Sequence, residues 1–277
     1  MSKRLKALGF GLLLFGITVY SLFPFYWAVI SSFKPSSDLF STTLKLWPIP
    51  WTWEHYKNVF LAANFGRNLL NSLAVAGGTT LVALSLGSFA AYALGRLPLH
   101  GKNALLYLVL AMTMFPQIAV LSGLFVLLRG LGLFNTHPGL ILSYLLFTLP
   151  FTVWVMTQYF RTLPRELEEA AYVDGASPLM AFWRILLPLT GPGLVTTGLL
   201  AFIAAWNEFL FALTFTVGDK VRTVPVAIAF FGGASPYEVP WGSIMAASVV
   251  VTVPLVVLVF VFQHRIVAGI TAGAIKE

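Results

Sequence analysis

The chain has 277 residues, of which 58% are hydrophobic and only 10% are charged, and its mean hydropathy is +0.86. Soluble domains carry about 25% charged residues, so this composition predicts a membrane protein. The net charge of +7 comes from single basic residues at the ends of apolar runs, which is typical of membrane-flanking anchors and not of a nucleic-acid-binding surface. The chain contains no cysteine, which excludes disulfides and thiolate metal sites. Its four widely spaced histidines predict no metal site.

The N-terminal region combines basic residues at 1–6 with an apolar run over 7–33. The hydrophobic part of a signal peptide is normally about 7–15 residues long. The longer run here therefore predicts a first transmembrane helix that begins in the cytoplasm. Clustered Trp and Pro in the polar interval 34–68 indicate an outer loop at the membrane surface, where indole rings settle.

Five more apolar segments follow, and the chain is predicted to be an all-α membrane protein with six transmembrane helices. Both termini are then expected in the cytoplasm, because basic residues in the short loops favour that side. In the second span Ala83, Gly87, Ala91 and Gly95 form a small-residue stripe suited to close helix packing. We expect one transmembrane domain over 1–277, with a first helix and outer loop (1–68), a five-helix core (69–265) and a cytoplasmic tail (266–277). The later spans are predicted at 69–95, 104–128, 139–158, after Gly193 within 186–217, and 242–262.

A charged loop, residues 161–188, separates the fourth span from the fifth. It holds four of the ten carboxylates, so it cannot lie in lipid without a large energetic cost. Acids after Pro164 suit the first turn of a helix, and Gly175 is placed to end it. Ser177 and Pro178 are typical of the start of a second helix. The sequence thus predicts a helix, a bend and another helix.

Within this loop Ala170 and Ala171 give the first helix a low profile that fits a groove of another protein. The alternative is an amphipathic surface helix that has no partner. The acidic residues beside the alanines do not decide between the two interpretations.

Several runs resemble a known family. Glu169-Ala170-Ala171, then Gly175, then Ile185 to Pro188 resemble the signature loop of permease subunits of bacterial ABC importers. Other runs resemble the sugar-importing branch, in particular the second permease of maltose- and trehalose-type systems. These runs are Leu22 to Pro35, Asn71 to Ala76, Ala205 to Leu213 and Gly269 to Glu277.

The resemblance implies a subunit in a bacterial cytoplasmic membrane that pairs with a second permease. Two copies of a cytoplasmic ATPase would bind the loops, and an extracytoplasmic sugar-binding protein would deliver the solute. The chain has no GxxxxGK[ST] motif, so it is expected to hold no cofactor, with ATP and Mg bound by the ATPase. The tail 271–277 is a further candidate contact with that ATPase. The residues expected to form the coupling loop are Glu169, Ala170, Ala171, Asp174, Gly175, Ile185 and Pro188.

A substrate pathway is a second hypothesis. Glu208 is the only carboxylate within an apolar run, and an intramembrane acid indicates function. Together with Trp206 and Asn207 it offers groups that suit a polyhydroxylated ligand. Alternatively, Asn207 and Glu208 hydrogen-bond to the partner permease or support a gate. Gln117 beside Pro116 is a weaker candidate, because the proline either bends the third span or frees backbone groups along a pathway.

Other classes fit the sequence less well. An ion-coupled secondary transporter or channel needs several intramembrane ionisable groups, and Glu208 stands nearly alone. A structural or assembly subunit leaves the acidic loop without a role. An enzyme is not predicted, because no nucleophile–base or metal constellation occurs. Within the preferred class, a permease for another solute, such as glycerol phosphate or a different oligosaccharide, stays open.

Overall fold

The computed structural model describes residues 3–43, 45–62, 64–232 and 239–274, and side chains within 6–263. In this part of the chain all regular structure is helical and no strand occurs, which confirms the all-α prediction. Two π turns occur in the described residues, at Asn58–Ala62 and Phe182–Leu186. The helices are α1 Lys3–Ser32, α2 Ser36–Leu39, α3 Glu54–Lys57, α4 Phe65–Arg96, α5 Lys102–Thr113, α6 Gln117–Gly130, α7 His137–Thr162, α8 Glu166–Val173, α9 Pro178–Leu189, α10 Gly191–Trp206, α11 Leu210–Phe215, α12 Val224–Ala229 and α13 Trp241–Ala274.

Four helices in the described part are long and apolar enough to cross a membrane: α1, α4, α7 and α13. Two helix pairs reach that length only together, α5 with α6 and α9 with α10, and they bend by 93° and 76°. The described residues therefore contain four to six candidate spans, and the number six stays a prediction.

The third span is broken rather than straight. Helix α5 ends at Thr113, and Pro116 precedes α6 in an extended conformation, with φ −67° and ψ 121°. Proline has no backbone N–H and its ring excludes the preceding turn of helix, which explains why a break occurs here. The predicted tail falls outside the described residues at 275–277, and no side chain is described beyond Gln263.

By its internal contacts the chain divides into two compact units, one of Met1–Gly66 with Ala227–Pro254 and one of Arg67–Val226 with Leu255–Glu277. In the first unit, the predicted outer loop packs around the Phe33 ring. The ring centroids of Trp51 and Trp53 each lie 4.9 Å from that of Phe33. Buried His55 bonds through Nε2 to the Lys34 carbonyl oxygen at 2.8 Å, so this histidine is structural.

In the second unit α4 packs closely against α7. A Cβ atom at Gly87 would lie 2.5 Å from Thr152 Cγ2, and one at Gly95 would lie 3.3 Å from Phe160 Cβ. Ala83 and Ala91 of the same stripe are fully buried. The small-residue stripe is therefore a helix-packing surface, as its spacing predicts.

We expect Gly87→Leu to lower the stability of the chain by about 1–3 kcal/mol, the usual cost of overpacking a close contact. Gly77→Leu is the matched control, because it lies in the same helix and a Cβ there meets no atom within 4 Å. Thermal unfolding of the purified chain in detergent, followed by tryptophan fluorescence, measures both. Equal midpoints for the two variants would contradict the packing assignment.

Candidate functional site

The end of α8 is built as the sequence predicts. After Asp174 the chain turns at Gly175, whose φ is +81°. The Ala176 N–H donates to the Ala171 carbonyl at 2.9 Å, and the Gly175 N–H donates to the Tyr172 carbonyl at 3.0 Å. This pair of bonds is a Schellman motif, which requires a left-handed residue and therefore favours glycine.

Helix α9 begins with the predicted cap. The Ser177 hydroxyl accepts a hydrogen bond from the Met180 N–H at 3.3 Å, and Pro178 occupies the first helical position. Serine satisfies a free N–H of the first turn, and proline has no N–H to satisfy. The loop is thus a helix, a bend and a second helix, as predicted.

Phe182 anchors α9 to the membrane helices. Its side chain is 1% exposed, and its ring centroid lies 5.0 Å from those of Phe89 and Tyr92 on α4. It also lies 6.0 Å from that of Phe160 on α7. Leu186, one helical turn further on, is buried in the same cluster. The inner face of α9 is therefore part of the core of the second unit.

Arg96 anchors α8 by a polar contact. This last residue of α4 is 2.7 Å from Glu168 through Nη2 and Oε2, and its Nε donates to the same oxygen at 2.8 Å. Its Nη1 donates to the Leu163 carbonyl at 2.8 Å and its Nη2 to the Pro164 carbonyl at 3.0 Å. Arg96 lies directly after the predicted second span, 69–95, and the sequence indicates no role for it. Its partner Glu168 lies 72 positions further along the chain, so the contact is visible only in the folded structure.

The outer face of the loop is exposed. Of the seven predicted coupling residues, Glu169, Ala170, Asp174, Gly175 and Pro188 are exposed and Ile185 is partly buried. Ala171 is buried, which corrects the expectation that both alanines face a partner. Ala171 lies three residues after Glu168, so the helical repeat turns both inward. Exposed apolar side chains that sequence analysis did not single out flank the acids: Tyr172, Val173, Leu179 and Met180.

Glu208 lies where α10 gives way to α11. Its Oε1 accepts a hydrogen bond from the Phe211 N–H at 2.7 Å, and its Oε2 accepts one from the Ala212 N–H at 3.0 Å. The residue is 7% exposed. The buried Tyr144 side chain of α7 is an electrostatic neighbour of this carboxylate. Glu208 therefore caps α11 by holding the free N–H groups of its first turn.

The neighbours of Glu208 diverge. Trp206 is buried and stacks on Phe202 with ring centroids 5.5 Å apart. Asn207 is exposed, and its Nδ2 donates to the Ile203 carbonyl at 2.9 Å. The three residues taken together as a sugar site from the sequence do not point into one space, because the helix end separates them.

Gln117 lines a cavity of about 430 Å³ at the break between α5 and α6. Phe211 of the helix capped by Glu208 forms another part of its wall, so two regions predicted for the pathway meet here. The wall is otherwise mostly apolar and aromatic, which is typical of a small-molecule pocket. The remaining lining residues are Leu108, Ala111, Met112, Thr113, Phe115, Val120, Leu146 and Phe147. The described residues contain no group of three or more His, Asp or Glu placed to hold a metal ion.

Known proteins share this architecture. Residues 83–272 match the family described as the binding-protein-dependent transport system inner membrane component. The chain is 45% identical over 257 residues to the trehalose transport system permease protein SugB of Mycobacterium tuberculosis, covering 93% of both chains. It is 43% identical to the trehalose/maltose transport system permease protein MalG of Thermococcus litoralis, covering 94% of this chain and 93% of that one.

A solved structure of a bacterial ABC transporter that imports alginate has the same fold. The match has a TM-score of 0.82 at 21% identity and covers 95% of this chain and 98% of that one. The chain therefore has the fold of an ABC transporter permease. The chain belongs to the family of binding-protein-dependent transport system inner membrane components, which confirms the resemblance. Its relatives are transport permeases, and the chain is not an enzyme.

Leu186→Ala is expected to destabilise the chain by about 2–5 kcal/mol, because it removes a fully buried side chain and leaves a cavity. Leu179→Ala makes the same chemical change in the same helix at a side chain that is 58% exposed, and we expect a much smaller effect. Thermal unfolding in detergent compares the two. If both substitutions lower the midpoint equally, the assignment of inner and outer faces is wrong.

Glu208→Ala is expected to cost about 0.5–2 kcal/mol, the range for the loss of a helix cap. Glu208→Gln keeps one acceptor oxygen and should have a smaller effect. Exposed Glu169→Ala serves as the control and should leave the unfolding midpoint unchanged. A carboxylate that acted only on the solute would leave the stability of the Glu208→Ala chain unaltered.

Proposed function

We propose that this chain is a membrane-spanning permease subunit of an ATP-driven, binding-protein-dependent sugar importer. It crosses a bacterial cytoplasmic membrane six times with both termini in the cytoplasm. A second permease pairs with it to form the pathway, and an extracytoplasmic sugar-binding protein supplies the solute. Two copies of a cytoplasmic ATPase, which bind ATP and Mg, dock on the loops of the pair. The observation that carries the proposal is the loop α8–α9, exposed on one face and anchored on the other.

The exposed face has the character of a docking surface. Val173 is 88% exposed at the end of α8, beside carboxylates of the same helix. Exposed apolar groups rimmed by polar ones mark protein contacts, and burying them against a partner is favourable at about 25 cal/mol per Å². Glu169 and Asp174 supply charges that select a partner with a basic groove.

The anchored face supports transmission of movement. Phe182 lies between the ends of α4 and α7, so α9 cannot shift without displacing them. Packed interfaces of this kind have a few discrete arrangements and do not deform continuously. When the ATPase dimer closes, α8 and α9 therefore move as a body and tilt the spans joined to them. Nucleotide and solute then favour particular states of one unit, which is allosteric coupling.

A trehalose- or maltose-like oligosaccharide is the proposed solute class. The relatives named for these two sugars support it, since they match nearly the whole chain. The cavity at Gln117 offers aromatic walls beside an amide, groups suited to sugar rings and hydroxyls. We assign the pathway to Gln117 and exposed Asn207. Trp206 and Glu208 instead support the helices that border it.

Co-purification tests the assembly. The tagged chain, drawn from detergent-solubilised membranes, should bring with it a second permease and an ATPase that carries a Walker motif, both identified by mass spectrometry. The binding protein of the same system should then bind trehalose or maltose in a calorimetric titration. Recovery of this chain alone, intact and transporting, would overturn the proposal.

Glu169→Lys should weaken capture of the ATPase at least about tenfold, equivalent to about 1.4 kcal/mol, because it reverses a charge on the docking surface. Glu54→Lys makes the same reversal at an exposed glutamate of α3, on the predicted outer loop, and should leave capture unchanged. Quantitative pull-down of the ATPase at several salt concentrations measures both. Equal recovery with the two variants would remove the loop from the docking surface.

A further inference from the structure

The Arg96 guanidinium joins three segments at one point. It bonds the carbonyl oxygen of Leu163 at the end of α7, that of Pro164 in the linker, and the Glu168 carboxylate in the first turn of α8. The Arg96 side chain is 5% exposed and that of Glu168 is 11% exposed. A basic residue at the end of an apolar helix ordinarily extends toward water or lipid headgroups. Arg96 is enclosed by protein instead.

The chemistry of the Arg96 contact is suited to fixing the orientation of α8 relative to α4. A buried ion pair is weak evidence for stability, because the loss of hydration offsets the attraction between the charges. A guanidinium, however, is planar and presents its N–H groups in a fixed fork, so it holds its acceptors in one relative arrangement. Here the fork fixes the start of α8 to the end of α4.

Few other side chains of α8 are buried. Its buried residues are Glu168 and Ala171, and alanine has only a methyl group to pack. By contrast, α9 is held by the large Phe182 ring and by a Tyr92 hydroxyl that donates to the Pro178 carbonyl at 3.4 Å. Apolar packing anchors α9, whereas a charged hydrogen-bonded contact anchors α8.

We propose that Arg96 is a positioning residue that transmits displacement of α8 to α4. The inference rests on the proposed function and names a residue through which that coupling runs. When an ATPase moves α8, the Arg96 contact moves the cytoplasmic end of α4, a helix of 32 residues. Without it, α8 still docks, but only the Phe182 contact of α9 is left to carry its displacement to that span.

The test uses the complete importer, in proteoliposomes, with Arg96→Gln and Arg96→Lys. Arg161→Gln is the matched control, because it removes another arginine, in the last turn of α7. The Arg161 side chain is exposed and bonds only Asn103 in the described structure, at 3.0 Å. We measure ATPase retention, ATP hydrolysis, and uptake of radiolabelled trehalose and maltose. Both Arg96 variants should retain the ATPase, while sugar transported per ATP falls at least tenfold. Lysine should not rescue coupling, because its single ammonium cannot hold the three acceptors in one arrangement.

Glu168→Gln separates the contribution of the carboxylate contact of Arg96 from that of its two carbonyl contacts. It removes the ion pair and leaves the two carbonyl bonds of Arg96 in place, so we expect a smaller loss of coupling than in Arg96→Gln. It also serves if Arg96→Gln fails to insert, since it changes only the carboxylate. Full coupling in Glu168→Gln together with full coupling in Arg96→Lys would overturn the proposal.

A solute-independent measurement follows the end of α4. The chain contains no cysteine, so Leu99→Cys at an exposed position three residues beyond the end of α4 gives a single site for maleimide labelling. ATP with vanadate should change its labelling rate in the Arg161→Gln background and not in the Arg96→Gln background. The same response in both backgrounds, or none in the Arg161→Gln background, would overturn the proposal, as would loss of the ATPase from the Arg96 variants. Absence of the ATPase from the unmodified importer would instead refute the proposed function.

Discussion

The insertion of Phe182 between α4 and α7 is the contact on which the loop depends. A segment with several carboxylates cannot enter lipid, yet it must be held in a defined place to act on helices that do. The buried ring solves this conflict, because it belongs to the core of the second unit while the rest of its loop stays outside. The close approach of α4 to α7 at Gly87 and Gly95 brings Phe89, Tyr92 and Phe160 together around it.

Local chemistry made much of this predictable. Gly175 ends α8 because the turn needs a left-handed residue, and Ser177 with Pro178 starts α9 because both suit a first turn. These rules act within a few residues, so sequence shows them directly. The Arg96 contact spans 72 positions, and nothing in the local pattern indicates it. Likewise, the pattern shows that Ala170 and Ala171 are small but not which of them faces the protein.

Glu208 shows how an acid in an apolar run can indicate a function without deciding which one. An acid in an apolar run demands an explanation, and the sequence offered solute contact or support. Helix α10 ends at Trp206 and α11 begins at Leu210, which leaves N–H groups of the new helix without intrahelical acceptors. The carboxylate satisfies two of them. The break between α10 and α11, which the sequence does not show, supplies the N–H groups that bond the carboxylate. The structure therefore favours a role for Glu208 in supporting α11.

The two anchors of the loop differ in a way that bears on movement. Phe182 is held by dispersion and hydrophobic contacts, which are non-directional and therefore fix its position without fixing the angle of the loop. The Arg96 contact depends on angles as well as distances, so it tolerates little rotation. A loop held only by apolar packing would rotate about that contact when it is displaced, and one held only by ion pairs would carry a large desolvation cost. With one anchor of each kind, α9 remains seated in the core while the orientation of α8 is fixed relative to α4. Under the proposed coupling, a displacement of the exposed face is therefore transmitted to the span and is not absorbed within the loop.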